Sequence, residues 1–204
     1  MTSLRDRARG TISPFFSSLA RYGLLAFGWK LVGEPPDVPR YVLLAAPHTS
    51  NWDTLIMLAV AYAFGIRLTW LGKDTVFRGP LGSVLRRLGG IPIDRGSRHN
   101  VVQQMVQAFE QRKRLVLALS PEGTRKRSAG WKSGFYYIAL GAEVPIVLAF
   151  IDYKRKRAGV GPVLLPSGDI EADMAIIRKF YTGVTPKYPD KFGDIQIAGS
   201  RDVS

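Results

Sequence analysis

Residues 46–54 read APHTSNWDT and place one of the two histidines of the chain, His48, five positions before an aspartate, Asp53. A carboxylate that holds one ring nitrogen of an imidazole fixes its tautomer and leaves the other nitrogen free to accept a proton. Such a pair can act as a general base toward a hydroxyl group. In a regular helix a separation of five residues turns two side chains about 140° apart, so the pair can meet only if His48 lies in the turn before the helix.

The same residues also suit an ordinary helix start. Ser50 followed by Asp53 three positions later resembles a capping box, and an acidic side chain in the first turn is favoured by the helix dipole. In that interpretation His48 is a turn residue without a chemical role. The spacing alone leaves both interpretations open.

A second segment with chemical potential is PEGTRKR at residues 121–127. Gly123 permits a tight turn, and Thr124 and Arg125 offer a hydroxyl and a guanidinium group, a combination that suits phosphate oxygens. Glu122 is unusual in a simple anion site, and we expect it to orient Arg125 or a substrate hydroxyl. The alternative interpretation is a basic surface turn.

Alternating buried strands and helices must position these two segments. The predicted strands cover 41–47, 66–72, 91–94, 114–120, 144–153 and 160–168, and the predicted helices cover 53–64, 78–90, 97–112, 131–142 and 169–184. This alternation predicts a single α/β domain with a largely parallel central sheet flanked by helices. Active-site groups gather at the carboxyl ends of the strands in such sheets, and the strand 41–47 delivers His48 to such an end.

An amphipathic helix is predicted over 14–32, ahead of the α/β domain. Ser13 can cap it, and Pro14 suits its first position. Its apolar face is expected to carry Phe15, Leu19, Tyr22, Ala26 and Trp29. An aromatic helix flanked by cations can lie in a membrane interface, and the alternative is a helix packed on the core of the domain. We therefore divide the chain into a basic, amphipathic, membrane-associating segment, 1–33, and a catalytic domain, 34–204.

Composition restricts the classes of function. The net charge of +13, from 29 Lys and Arg against 16 Asp and Glu, indicates a polyanionic partner such as nucleic acid, an anionic membrane surface or phosphorylated substrates. The chain has no cysteine, which excludes disulfides and a cysteine nucleophile, and two histidines are too few for an ordinary zinc site, so no metal is expected. The longest uncharged run is too short to cross a bilayer.

A non-catalytic basic protein that binds nucleic acid or a membrane is the alternative from another class. No basic stripe with stacking aromatic residues and no recognition motif is found, so no nucleic-acid partner is expected. A Gly-rich loop ending in Gly-Lys-Ser/Thr is also missing, which argues against nucleotide binding.

Four segments in order resemble the glycerolipid and lysophospholipid acyltransferases, the family of bacterial 1-acylglycerol-3-phosphate acyltransferase. The segments are His48-x-x-x-x-Asp53, GIPIDR at 90–95, EGTR at 122–125 and VPIV at 144–147. Lys73 lies where members often carry a lysine. The sequence departs from the family at Ser120, where many members have an aromatic residue, and at Leu148, which replaces a second proline.

The resemblance implies transfer of a fatty acyl group from acyl-CoA or acyl-acyl carrier protein to the hydroxyl of a lysophospholipid such as 1-acylglycerol-3-phosphate. It implies His48 as the general base and Asp53 as the group that holds the imidazole. No covalent acyl-enzyme and no cofactor beyond the thioester co-substrate is expected. Other acceptors, a glycolipid or an acylated amino-acid lipid, remain open.

The same resemblance implies a binding site for the acceptor phosphate. Its expected members are Lys73, Arg95, Glu122, Gly123, Thr124 and Arg125. Backbone N–H groups near Gly89 and Gly90 are candidates for stabilising the oxyanion. With the basic clusters of the chain and the predicted N-terminal helix, the resemblance implies a peripheral enzyme of phospholipid biosynthesis on the cytoplasmic face of the cell membrane, with an anionic lipid surface as partner.

Overall fold

The computed structural model describes residues 12–93 and 98–198. Its centre is one sheet of seven strands in the order β1-β7-β6-β2-β5-β3-β4. The strands are β1 Lys30–Val32, β2 Arg40–Ala45, β3 Leu68–Lys73, β4 Gly90–Ile93, β5 Leu115–Leu119, β6 Ile146–Asp152 and β7 Arg157–Leu164. All neighbouring pairs are parallel except β6 with β7. The predicted α/β class with a largely parallel sheet is confirmed.

Helices follow most strands, as the alternation predicts. They are α1 Pro14–Ala26, α2 Asn51–Ala63, α3 Gly82–Arg87, α4 Arg98–Gln111, α5 Gly134–Gly141 and α6 Ile170–Tyr181, with short 3₁₀ turns at Asp74–Phe77 and Pro189–Lys191. The helix predicted over 78–90 is shorter than expected. Within the described residues no helix combines the length and the apolar character that a membrane crossing requires.

Two hydrophobic cores cover the two faces of the sheet. Because successive side chains of a strand point to opposite faces, Val42 and Leu44 enter one core and Leu43 enters the other. The first core contains buried side chains of α4, α5 and α6, and the second contains those of α1 and α2. Helices on both faces leave the strand ends as the place where loops can form a site.

The helix predicted over 14–32 is wrong beyond Ala26. Gly28 takes a left-handed conformation with φ of 78°, and the backbone N–H of Trp29 donates to Leu24 O at 2.9 Å, which ends α1. Trp29 is 8% exposed and lies in the second core, and Lys30–Val32 forms β1 beside β7. The last residues of the predicted membrane-associating segment therefore belong to the sheet, and residues 1–11 lie outside the described part.

Candidate active site

His48 lies just beyond the carboxyl end of β2, at the centre of the sheet. The neighbours of β2 are β5 and β6, so the segments after these three strands meet at one edge. The backbone N–H of His48 donates to Glu122 Oε1 at 2.7 Å, which joins the turn after β2 to the turn after β5. The imidazole is 23% exposed, so it is sheltered but can be reached from solvent.

Asp53 both caps α2 and approaches His48, so the two interpretations of its spacing describe one arrangement. Its Oδ2 accepts the backbone N–H groups of Thr49 at 2.7 Å and Ser50 at 2.8 Å, and the Ser50 hydroxyl accepts the N–H of Trp52 at 3.0 Å. These bonds form a capping box and fold the chain back before the helix. The same Oδ2 lies 3.7 Å from His48 Nδ1, longer than a hydrogen bond but close enough for charge attraction.

Tyr153 completes the surroundings of the Asp53 carboxylate. Its hydroxyl donates to Asp53 Oδ1 at 2.6 Å. Asp53 is only 2% exposed, and hydrogen-bond donors on both oxygens offset the cost of burying its charge. Tyr153 follows directly after β6, so all three central strands contribute to the site.

The pKa of His48 is lowered from its ordinary value of about 6.5. Burial is the main cause, the charge of Asp53 opposes it, and the charge of Arg125 adds to it. At neutral pH the imidazole is therefore unprotonated and able to accept a proton. With Nδ1 facing Asp53, Nε2 is the nitrogen available for this step.

Glu122 is buried beneath His48, with 2% of its surface exposed. Burial raises the pKa of its carboxyl group to about 7, the hydrogen bond from His48 acts in the opposite direction, and the charge of Asp53 adds to the increase. The expected orientation of Arg125 by Glu122 is not formed among the described side chains, because the carboxylate binds the backbone of His48 instead. Glu122 thus holds the turn that carries the imidazole.

Arg125 reaches across the edge of the sheet to the start of α2. Its guanidinium group donates to Asn51 Oδ1, and the side chain is otherwise exposed. Thr124 is also exposed, and its hydroxyl accepts the N–H of Lys126 at 3.2 Å. Arg125 and Thr124 can therefore meet a ligand that approaches His48 from solvent.

Gly123 is required by the geometry of this turn. It has φ of 63°, and a Cβ atom there would lie 2.6 Å from Lys132 Nζ. Any other residue would be strained and would displace that lysine. The predicted tight turn at Gly123 is therefore present.

An apolar pocket opens beside His48 and Asp53, between α2 and the sheet. It contains about 480 Å³ of empty space, part of which is open to solvent. Its walls include Leu43, Met57, Val60, Phe64, Ala149 and Ile151. A polar pair at the mouth of an apolar pocket suits a substrate with a reactive head and a hydrocarbon tail.

Comparison with known proteins decides the family. The family model described as Acyltransferase matches residues 33–151, more than half of the chain. The chain belongs to the acyltransferase family. It is an O-acyltransferase, an enzyme that transfers an acyl group to a hydroxyl oxygen.

The fold of this acyltransferase is similar to a solved one. The crystal structure of the 1-acyl-sn-glycerophosphate (LPA) acyltransferase PlsC from Thermotoga maritima matches with a TM-score of 0.60 and 16% sequence identity. The match covers 90% of this chain and 83% of that chain. Comparison with curated protein sequences gives no significant match.

Two predicted phosphate-binding residues of the acyltransferase are only partly located. Lys73 is the last residue of β3, at the same edge of the sheet as His48, but its side chain lies outside the described part. Arg95 lies outside the described residues, two positions after the end of β4. Within 12–93 and 98–198 no group of three or more acidic or histidine side chains could hold a metal ion.

The candidate oxyanion donors at Gly89 and Gly90 are wrong. These residues lie at the amino end of β4, opposite the edge that carries His48, because β4 runs parallel to β3 from Gly90 to Ile93. The N–H of Gly89 donates to Arg86 O at 3.0 Å and is not available to a substrate.

Sequence reasoning missed Tyr153 and Asn51 as partners of the acyltransferase site. The predicted strand 144–153 ends at Tyr153, and the rule that active-site groups follow strand ends would have selected this residue. Asn51 lies within the same motif as His48, but its contact with Arg125 depends on the turn after β5.

Proposed function

We propose that this acyltransferase moves a fatty acyl group from acyl-CoA or acyl-acyl carrier protein to the hydroxyl of a lysophospholipid such as 1-acylglycerol-3-phosphate, a step of phospholipid biosynthesis. The observation that carries the proposal is the position of the His48 imidazole. It has Asp53 at 3.7 Å on one side, and it lines the mouth of an apolar pocket. A base, a cation at Arg125 and a hydrocarbon pocket are what this reaction needs.

In the proposed mechanism His48 is the general base. Nε2 takes the proton of the acceptor hydroxyl as its oxygen attacks the thioester carbonyl, and Asp53 stabilises the imidazolium that forms. The tetrahedral intermediate then loses the thiolate, which takes the proton from His48 and leaves as the thiol. A positioned base of this kind contributes about 10²–10⁴ in rate. The lowered pKa of His48 supports this role, because the base is unprotonated at neutral pH.

We assign the apolar pocket to the acyl chain that is transferred. Its carbonyl carbon must reach the end of the pocket that His48 lines, and the chain would extend between Met57 and Ile151. Burial of hydrocarbon contributes about 0.8 kcal/mol per methylene group, so the pocket would favour long-chain donors.

We assign the acceptor phosphate to the exposed side of the site. Arg125 and Thr124 face this side, and Lys73 and Arg95 are proposed as further members because they follow the ends of β3 and β4. A charged hydrogen bond to phosphate contributes about 1.5–3 kcal/mol. A glycolipid or an acylated amino-acid lipid would lack this phosphate contact, which is the reason to place a lysophosphatidic acid first.

We further propose that the enzyme works as a peripheral protein on the cytoplasmic face of the membrane. Six apolar side chains of the α1 region are more than half exposed: Phe15, Phe16, Leu19, Tyr22, Leu25 and Phe27. The opposite face of α1 packs on α2, where Leu24 is buried and the Ser17 hydroxyl donates to Ala63 O at 3.1 Å. One face thus serves the core and the other is available to lipid.

Basic residues lie next to this apolar face. Lys156 donates its ammonium group to Phe27 O at 3.0 Å, and it belongs to the exposed basic run 154–157. Each basic side chain near an anionic membrane contributes about 1 kcal/mol of attraction. The contact between a basic run and an apolar helix supports an anionic bilayer as the partner.

The test is release of free CoA from a long-chain acyl-CoA in the presence of lysophosphatidic acid vesicles. The chain has no cysteine, so a thiol reagent reads the released CoA without background from the protein. We expect turnover by the unmodified protein and a loss of about 10²-fold or more in His48→Ala. Normal turnover in that variant would remove the assigned base. No CoA release with any lysolipid or glycolipid acceptor would favour a non-catalytic membrane-binding protein.

A further inference from the structure

We infer that Tyr153 is a positioning residue for acyl transfer, whose hydroxyl fixes the Asp53 carboxylate so that one oxygen stays directed at His48. This inference rests on the proposed roles of His48 and Asp53. Tyr153 itself lies beyond the residues that the acyltransferase family model matches, which end at residue 151.

The carboxylate of Asp53 is held at both oxygens. Oδ2 accepts two backbone N–H groups at 2.7 and 2.8 Å, and Oδ1 accepts the Tyr153 hydroxyl at 2.6 Å. The last distance is typical of a strong bond between a hydroxyl and a charged oxygen. With the hydroxyl in place the carboxylate cannot turn about its own axis without breaking a short bond, and so Oδ2 keeps its position 3.7 Å from His48 Nδ1.

Tyr153 is well placed to hold another group because it is itself held on several sides. Its backbone N–H donates to Thr185 O at 2.9 Å. Its ring meets Trp29 edge to face at 5.2 Å between centroids, and the Lys187 ammonium lies 5.9 Å from its centroid on the side of the ring face. Since Trp29 is buried, the phenol is fixed against the second core and not only against the site.

The hydroxyl also remains a donor under all assay conditions. The pKa of Tyr153 is raised well above its ordinary value, mainly by burial and then by its hydrogen bond to Asp53 and the charge of that carboxylate. A phenol that keeps its proton can donate to Asp53 whatever the state of His48.

The O–H dipole also sets how strongly Asp53 acts on the imidazole. Its positive end faces the carboxylate and offsets part of that charge, so removing the hydroxyl should raise the pKa of His48. The other charged or titratable groups that face this pair are Glu122, Arg125, Lys187 and Tyr188. A substitution at Tyr153 leaves all four in place.

The experiment uses Tyr153→Phe in the full chain. Phenylalanine keeps the ring that packs on Trp29 and removes only the hydroxyl. The chain has two histidines, so a His99→Gln background leaves His48 as the single imidazole in an NMR titration. CoA release gives kcat, and KM for lysophosphatidic acid, across pH. The thermal midpoint shows that the variant is folded.

We expect kcat to fall about tenfold, while KM changes by less than about twofold, because the lost bond acts on the base and not on the acceptor. The pKa of His48 and the acid limb of kcat/KM should move upward together. Tyr188→Phe is the matched control. It removes a neighbouring phenol hydroxyl, that of the ring 5.7 Å from Lys187, and should leave both quantities unchanged.

Two results would overturn the inference. One is a folded Tyr153→Phe variant with the kcat of the unmodified protein. The other is a fall in kcat with an unmoved His48 pKa, since the hydroxyl would then act through the fold and not through Asp53. Failure of the proposed function is a separate outcome: full activity of His48→Ala removes the base, whereas the NMR titration tests the link from Tyr153 to His48 without any turnover.

Discussion

Replacement of Glu122 by glutamine tests whether one buried carboxyl group makes the stability of the acyltransferase fall as the pH rises. Glu122 is 2% exposed, and its Oε1 accepts the backbone N–H of His48 at 2.7 Å. Burial raises its pKa to about 7. Glutamine keeps an oxygen that can accept this bond and removes the ionisation.

The magnitude follows from the two ends of the titration. The carboxyl group has a pKa near 4.5 in the unfolded chain and about 7 in the folded protein. Between these values the folded protein retains a proton that the unfolded chain has released, so the free energy of unfolding decreases as the pH rises. The full effect is about 3 kcal/mol, present below pH 4.5 and lost above about pH 7.

The assay is urea unfolding followed by tryptophan fluorescence at about pH 5 and about pH 8. The lowered pKa of His48 changes stability in the opposite direction, so the informative quantity is the difference between the unmodified protein and Glu122→Gln. We expect the unmodified protein to lose about 2–3 kcal/mol relative to the variant over this range. Glu110→Gln, at an exposed position of α4, is the control and should follow the unmodified protein.

Parallel pH dependence of the unmodified protein and Glu122→Gln would refute the reasoning. It would mean that the carboxyl group ionises in the folded protein as easily as in the unfolded chain. The hydrogen bond from His48 would then outweigh the cost of burial.

Two further predictions concern substrate and membrane. Arg125→Ala should raise KM for lysophosphatidic acid about 10- to 100-fold with little change in kcat, because a charged phosphate contact is lost; Arg127→Ala, in the same turn, is the control, and equal KM values in the two variants would exclude Arg125 as the phosphate ligand. Leu19→Glu should weaken sedimentation with anionic vesicles about tenfold, because Leu19 is 58% exposed on α1 and its burial in lipid is lost. Gln103→Glu makes the same charge change on α4, and equal vesicle binding by both variants would contradict a role for the α1 face.

The central strands could be predicted because their physical signal is local. Residues 41–47, 114–120 and 144–153 are apolar runs that suit burial on both faces of a sheet, and the structure places β2, β5 and β6 within them. His48 and Glu122 follow two of these runs. Their location at one edge of a parallel sheet is a direct consequence of this pattern.

The end of α1 could not be predicted in the same way. Trp29 has the helical spacing of the apolar face, so periodicity alone extends the helix through it. Two tertiary facts stop the helix at Ala26: the edge of β7 accepts Lys30–Val32 as a parallel strand, and the second core accepts the indole ring. Neither fact is present in a window of neighbouring residues.

The sequence by itself determined the α/β pattern, the turn chemistry of Gly123 and a histidine with a nearby acid, because each depends on residue type and short spacing. Only the tertiary structure decided that β6 lies beside β2 and so brings Tyr153 to Asp53, one hundred positions away in the chain. It also decided that Glu122 is buried under His48 and does not face a ligand. Burial and the order of strands depend on the whole chain, and the strength and role of a charged group depend on both.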